Sequence, residues 1–180
     1  TATADTQTLT TFGTNRSFTD STIFRDGTNL ELFYGSAAGG VEWRTEEWMR
    51  FEGNNMLSFG QTPVTGVTNR TTHINGVIDV QGALTVDVPV SMTARFNQSS
   101  GGYLMGTGNI TKTGQGVLEF RDNNVLWTGG LTVAEGTMRL ISTGLPAGAG
   151  TIPITLGSAS QQGIADLQLF SEQGIAGMDY

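Results

Sequence analysis

Two neighbouring stretches decide the fold class. Residues 108–120 read GNITKTGQGVLEF, and residues 128–140 read TGGLTVAEGTMRL. In both, short runs that alternate apolar and polar residues lie between glycines, which is the pattern of half-buried strands bounded by turns. Leu118 and Phe120 recur as Met138 and Leu140, twenty positions later. A repeat of about 20 residues, made of short strands and turns, predicts a solenoid whose coils stack on one another.

The same pattern extends on both sides of these stretches. Leu131 and Val133 predict a further recurrence at Ile152 and Ile154, and no stretch has the spacing of an amphipathic helix. We therefore predict an all-β fold, a parallel β-helix (β-solenoid) with about 20 residues per coil. Predicted strands cover residues 29–33, 77–80, 84–88, 117–120, 131–133, 138–140, 151–156 and 166–170.

Stacked coils pair strands about 4.8 Å apart, with alternate side chains pointing into a narrow core. The four apolar residues that recur after twenty positions are therefore expected to form an interior ladder, with Glu119 and Arg139 stacked outside. The chain is predicted to be one solenoid domain over residues 1–180. Residues 61–180 form its regular coils, and residues 1–60 form either irregular coils or an N-terminal cap.

Residues 106–156 carry a resemblance to a known repeat. They resemble the autotransporter-associated β-strand repeat, also called the passenger-associated transport repeat, whose pattern reads roughly G-x-L-T-K-T-G-x-G-x-L-x-L, an Asn-rich turn, then Y-x-G-x-T-x-V-x-x-G-x-L-x-L. Lys112, Thr113 and Gly114 match its first half, and Trp127 stands where the family has its aromatic residue. The resemblance implies a right-handed parallel β-helix of secreted bacterial surface proteins, with roles in adhesion, aggregation and scaffolding. It implies no shared active site.

The composition argues against nucleic acids and anionic membranes as partners. The net charge is −7, and a single Lys accompanies eight Arg. Neutralising phosphates requires clustered positive charge, which this sequence does not display, so nucleic-acid binding and docking to an anionic membrane are not expected. No apolar run is long enough for a transmembrane helix. Low charge and abundant Gly and Thr favour an extracellular location or the bacterial outer surface.

Catalytic and metal-binding patterns are weak. There is no Cys and one histidine, His73, which we expect at a turn or strand edge, so neither a zinc site nor a Cys–His pair is predicted. Acids such as Asp79 and Asp87 occur singly along predicted strands. We predict no metal, no cofactor and no enzymatic activity. A polysaccharide lyase or hydrolase is the alternative, because β-helix enzymes of that kind use acids and bases on one strand face.

The densest candidate for ligand binding is residues 41–52, VEWRTEEWMRFE. Alternation points Val41, Trp43, Met49 and Phe51 inward and their neighbours outward, with a bend at Glu47. The predicted ligand-binding residues are Trp48, Arg44 and Arg50, because an exposed Trp beside Arg can stack on a sugar or anchor a protein. The alternative is a solvated charge ladder with Trp48 tucked against a loop.

Two functional hypotheses follow. The first is a secreted structural or adhesive module of the cell surface, whose open strand edges let copies join end to end or donate a strand, giving filaments. Its partners would be itself, surface glycans or surface proteins. The second is a glycan-binding or polysaccharide-degrading β-helix that uses a groove along one face of the solenoid.

Overall fold

A computed structural model describes residues 21–34, 42–61, 70–97, 103–121, 125–141, 152–158 and 163–170. Within these residues the regular structure is entirely β. The strands are β1 (Thr22–Phe24), β2 (Asn29–Tyr34), β3 (Glu42–Thr45), β4 (Met49–Phe51), β5 (Asn54–Gln61), β6 (Arg70–Ile74), β7 (Ile78–Val80), β8 (Ala83–Asp87), β9 (Met92–Asn97), β10 (Leu104–Gly106), β11 (Ile110–Thr113), β12 (Val117–Arg121), β13 (Val125–Trp127), β14 (Leu131–Val133), β15 (Gly136–Ile141), β16 (Ile154–Leu156) and β17 (Ala165–Leu169).

The strands form three parallel sheets. Sheet A is ordered β1-β4-β7-β10-β13, sheet B is β2-β5-β8-β11-β14-β16, and sheet C is β3-β6-β9-β12-β15-β17. Each group of three consecutive strands visits the three sheets in turn and so makes one coil, numbered 1 to 5 along the chain, with β16 and β17 starting a sixth. The predicted fold class, an all-β parallel solenoid, is confirmed.

Coil length varies along the stack. Val117 pairs with Thr137, twenty residues on, as the repeat predicts. Glu42 pairs with Thr71, twenty-nine residues on, and the stack as a whole averages about 26 residues per coil. The predicted length of about 20 therefore describes coils 4 and 5 and is too short for the others.

One predicted register is wrong. Leu131 pairs with Ile154 and Val133 with Leu156, so β16 lies two residues further along than the predicted match at Ile152 and Ile154. Side chains alternate between the two faces of a strand, so a shift of two residues leaves the same face inward. The apolar pattern alone therefore did not separate the two registers.

The strands of residues 22–61 belong to the coil stack. They contribute to all three sheets, and Phe24 of β1 stacks on Phe51 of β4 with ring centroids 4.9 Å apart. In this described part of residues 1–60 the chain therefore forms coils. Residues 1–20 lie outside the described residues.

The core is a ladder of inward side chains. Leu118, Phe120, Met138 and Leu140 are all fully buried, which confirms the predicted interior ladder. Phe120 stacks on Phe96 at 5.4 Å between ring centroids and meets the edge of Trp127 at 6.3 Å. Fully burying one such apolar side chain stabilises the fold by roughly 1.5–3 kcal/mol, so this ladder is a main source of stability.

Four stacked glycines form the corner that leads from sheet A to sheet B. Gly53, Gly82, Gly108 and Gly129 follow one another in successive coils. A Cβ on Gly108 would lie 1.8 Å from the carbonyl oxygen of Gly82, and a Cβ on Gly129 would lie 1.8 Å from that of Gly108. These backbones approach so closely that only glycine fits without displacing the neighbouring coil.

Candidate functional site

The structure separates the three predicted ligand-binding residues. Trp48 lies at the corner between β3 and β4, and Arg50 lies on β4 in sheet A. Arg44 lies on β3 in sheet C, where it is exposed. Residues 46–48 are not part of a strand, which confirms the bend predicted at Glu47. Trp48 and Arg50 are therefore neighbours, and Arg44 belongs to a different surface.

Two of the four residues predicted to face inward have described side chains. Met49 is 1% exposed and Phe51 is fully buried, as predicted. Val41 lies outside the described residues, as does the side chain of Trp43. Register pairs Trp43 with Thr72, a buried position of β6.

Trp48 and Arg50 line a shallow pocket of about 80 Å³. The Nε of Arg50 lies 3.3 Å from Oε1 of Glu52 and 3.6 Å from Oδ2 of Asp79. Pockets that enclose small ligands typically measure about 300–1,000 Å³, several times larger than this one. The remaining lining residues are Ser21, Met49, Val77 and Asp79. The pocket is large enough to seat a single chemical group, such as one edge of a sugar, and too small to enclose a whole ligand.

A second surface emerges from the register of sheet C. Pairing aligns one polar column along the sheet, and the strand neighbours of its central members, such as Ala94, Phe96 and Leu118, are buried in the core. In strand order the column contains Arg44, His73, Arg95, Glu119, Arg139 and Gln168. Arg121 lies two residues beyond Glu119 on the same side of β12. We call the outward side chains of Arg44, Arg95, Arg121 and Arg139 the arginine face.

Glu119 is the centre of this surface. Its carboxylate accepts a hydrogen bond of 2.5 Å from Nε of Arg95 and one of 3.2 Å from Nη1 of Arg139, on the strands to either side. Nε of Arg121 lies 3.8 Å away. The Glu119 side chain is only 3% exposed, whereas the three arginines are 23–39% exposed. One covered carboxylate thus holds three partly exposed guanidinium groups, which orders them and leaves an excess of positive charge.

Sequence reasoning found only part of this surface. The predicted stacking of Glu119 and Arg139 is confirmed by the register, but Glu119 is buried beneath the arginines. The inference that the chain lacks clustered positive charge is wrong for sheet C, because folding brings Arg95, Arg121 and Arg139, which follow one another at 26 and 18 positions, around Glu119. The sequence does contain a pattern that could have indicated this surface, because Thr93-Ala94-Arg95 and Thr137-Met138-Arg139 share the motif Thr-x-Arg.

Lys112, the only lysine, has a structural position. It is fully buried, and its Nζ donates hydrogen bonds of 2.6 Å to the carbonyl oxygens of both Thr113 and Gly114, and one of 3.1 Å to that of Glu135 in the next coil. Burial lowers the pKa of Lys112 to about 8, and the charges of Asp87 and Glu135 oppose the shift. The ammonium group thus joins two successive corners, which gives the Lys-Thr-Gly sequence a role in stacking.

His73 differs from its predicted position. It lies within β6, which is between β3 and β9 in sheet C, and it is only 4% exposed. It is therefore neither at a turn nor on an edge strand. In the part of the chain that the structure describes, no group of three or more His, Cys, Asp or Glu side chains is arranged to hold a metal ion.

Comparison of the chain with protein-family models, with curated proteins and with solved structures yields no match. Across the described ranges, no helix has the length and apolar character needed to span a bilayer.

Proposed function

We propose that this chain is a secreted structural and adhesive module of a bacterial cell surface, acting through its shape and not through catalysis. The observation that carries the proposal is the uninterrupted parallel pairing of strands in all three sheets. Such pairing makes a stiff stack in which each coil contacts only its neighbours, an architecture suited to displaying surfaces at a distance. The resemblance of residues 106–156 to a repeat of secreted surface proteins supports the same role.

Self-assembly is part of this proposal. Exposed large apolar side chains occur on the last described coil, where Leu156 is 53%, Ile164 83% and Phe170 61% exposed. They flank or belong to β16 and β17, the outermost described strands of sheets B and C. A strand edge with apolar side chains beside it favours pairing with a further strand. We propose that this strand comes from a second copy of the chain.

The test is light scattering with negative-stain imaging over a concentration series. The proposal predicts ordered multimers that lengthen with concentration. The variant Ile164→Asp/Phe170→Asp is expected to stay monomeric. Val90→Asp is the control for adding a charge at an exposed apolar position, because Val90 is 62% exposed but lies between β8 and β9, in the middle of the stack. A chain that remains monomeric at all concentrations would contradict assembly.

A second candidate function, glycan binding, is favoured by one observation. The arginine face presents ordered guanidinium groups along the outer side of sheet C, and the small pocket beside Trp48 lies on a different sheet. Arginine side chains recognise carboxylates through paired, charge-assisted hydrogen bonds. Binding of glycans by this face is compatible with an adhesive module.

A further inference from the structure

Charge is distributed very unevenly between sheet C and the rest of the molecule. The strands of sheet C contain five arginines and three acids, a balance of +2 that does not change when the buried Arg70 and Glu119 are left out. Because the whole chain carries −7, the remainder carries −9. The five arginines are Arg44, Arg70, Arg95, Arg121 and Arg139, and the three acids are Glu42, Glu119 and Asp166. A single positive sheet on an otherwise acidic molecule selects a partner that is negatively charged.

Arg95 and Arg139 are held in place before any partner arrives. Arg139 donates to Glu119 and also, from Nε, to Oε1 of Gln168 at 2.9 Å, while Nε2 of Gln168 donates to Asp166 at 2.6 Å. Contacts on both sides restrict the rotamers of Arg139, so less side-chain entropy remains to be lost on binding. The column thus offers preorganised guanidinium groups along the stack.

The spacing of the column suits a linear polymer. Arg44, Arg95 and Arg139 occupy alternate strands of sheet C, so their positions are two strand separations apart, about 10 Å. Beside them runs a column that contains the hydroxyl groups of Thr93 and Thr137, one on each side of Val117. Hydroxyl groups both donate and accept hydrogen bonds, as sugar hydroxyls require.

We propose that the arginine face binds a linear acidic polysaccharide, a polymer of uronic-acid type, with its carboxylates on the guanidinium groups and its hydroxyls on the threonines. This inference rests on the proposed adhesive function and names its partner. Nucleic acid fits less well, because duplex DNA carries one charge per ≈ 1.7 Å and would bring many phosphates against the acidic remainder of the chain. The outward residues described on β6, β9, β12, β15 and β17 also include no Phe, Tyr or Trp on which bases could stack.

The experiment measures binding to the whole chain by calorimetry at low and at high salt. Polygalacturonate is the probe, and its fully methyl-esterified, neutral form is the reference. The wild type is expected to bind the acidic polymer, more weakly as salt rises, and to ignore the neutral one. Arg121→Gln/Arg139→Gln is expected to lose at least about tenfold in affinity. Arg121→Gln alone keeps the contacts of Arg139 intact and is expected to lose about threefold.

Arg25→Gln is the matched control. Arg25 is 76% exposed and pairs at 2.8 Å with Glu52, so the substitution makes the same change in net charge as Arg121→Gln but away from sheet C. Its affinity should change less than twofold. A loss of affinity in Arg25→Gln equal to that in Arg121→Gln would overturn the proposal. So would a wild-type chain that does not bind polygalacturonate, or one that binds single-stranded DNA more tightly. Light scattering on the same samples separates the proposed partner from the proposed structural role. A wild-type chain that assembles but does not bind polygalacturonate would refute the partner and leave the structural module unaffected.

Discussion

Coils 1 to 3 (β1–β9) and coils 4 and 5 (β10–β15) can be compared strand by strand. In the later coils Leu104 pairs with Val125 and Ile110 with Leu131, each 21 residues on. In the earlier coils Met49 pairs with Ile78, 29 residues on. The cores are nevertheless alike, because inward residues such as Phe51 and Phe120 are fully buried in both parts.

Much of the difference in coil length lies in the corners between the strands. In coil 1, β2 ends at Tyr34 and β3 begins at Glu42, whereas in coil 5, β14 ends at Val133 and β15 begins at Gly136. The pairing and burial of strands are kept while corner lengths change. A solenoid therefore tolerates extra residues at its corners, because each coil needs only its inward positions and its backbone pairing to match the next one.

The largest effect is expected from substitutions in the core, which test whether the early coils (1 to 3) and the later coils (4 and 5) are packed equally well. Phe120→Ala in coil 4 and Phe51→Ala in coil 2 should each lower the free energy of unfolding by about 3–5 kcal/mol, since both remove a fully buried ring that stacks on a neighbour. Urea denaturation followed by circular dichroism measures the loss.

Each core substitution has a surface control. Leu126→Ala in coil 5 and Ile23→Ala in coil 1 remove side chains that are 62% and 45% exposed, and should cost less than about 0.5 kcal/mol. If Phe51→Ala cost no more than Ile23→Ala, the early coils would not share the packed core of the later ones.

The next largest effect is expected at the glycine corner, in both the early and the later coils. Gly129→Ala and Gly82→Ala place a Cβ 1.8 Å and 2.0 Å from a carbonyl oxygen of the preceding coil, so the free energy of unfolding should fall by about 1–3 kcal/mol. Gly130→Ala is the control, because its nearest contact is a side-chain oxygen of Asn109 at 3.1 Å. Thermal unfolding of the three variants measures the loss. Equal melting temperatures for all three would contradict the close approach of the backbones at this corner.

The smallest effect, taken for a change of one pH unit, concerns Lys112, which joins corners of coils 4 and 5. Its pKa of about 8 lies below the ordinary value of 10.5, so between these pH values the unfolded chain binds more protons than the folded one. The free energy of unfolding should therefore rise with pH across this window, by on the order of 1 kcal/mol per pH unit. Urea titrations of wild type and Lys112→Met, repeated from pH 8 to 10.5, isolate this contribution. An identical pH dependence in the two proteins would contradict it.

The sequence predicted the pairing of β12 with β15 because the corners of coils 4 and 5 are short and nearly equal. Leu118 and Phe120 could be aligned with Met138 and Leu140 by a constant offset, and the register confirms that alignment. The early coils lack a constant offset, so their pairing could not be predicted. The arginine face was missed in part for the same physical reason: Glu119 and Arg139 lie at the predicted offset of 20 residues, but Arg95 and Glu119 are 24 residues apart.

The candidate ligand site was predicted from local density, which is a poor guide in a solenoid. Trp48 and Arg50 are close in sequence and share a small pocket, but Arg44, six residues from Arg50, lies on another sheet. In a coil of three sheets, residues on one face recur once per coil. A surface therefore draws its members from many coils, and neighbours in the sequence are divided among faces.

The central claim is that coils of unequal length belong to one parallel stack, and disulfide formation tests it most directly because the chain has no Cys. Neighbouring parallel strands bring paired Cα atoms to about 4.8 Å, within the range of a disulfide. Thr111→Cys/Thr132→Cys, paired in coils 4 and 5, is the positive control. Met56→Cys/Thr85→Cys, paired in coils 2 and 3, should oxidise as readily, whereas Met56→Cys/Val77→Cys, at the 21-residue offset of the later coils, should stay reduced. A Met56–Thr85 pair that stays reduced while the positive control oxidises would contradict the account.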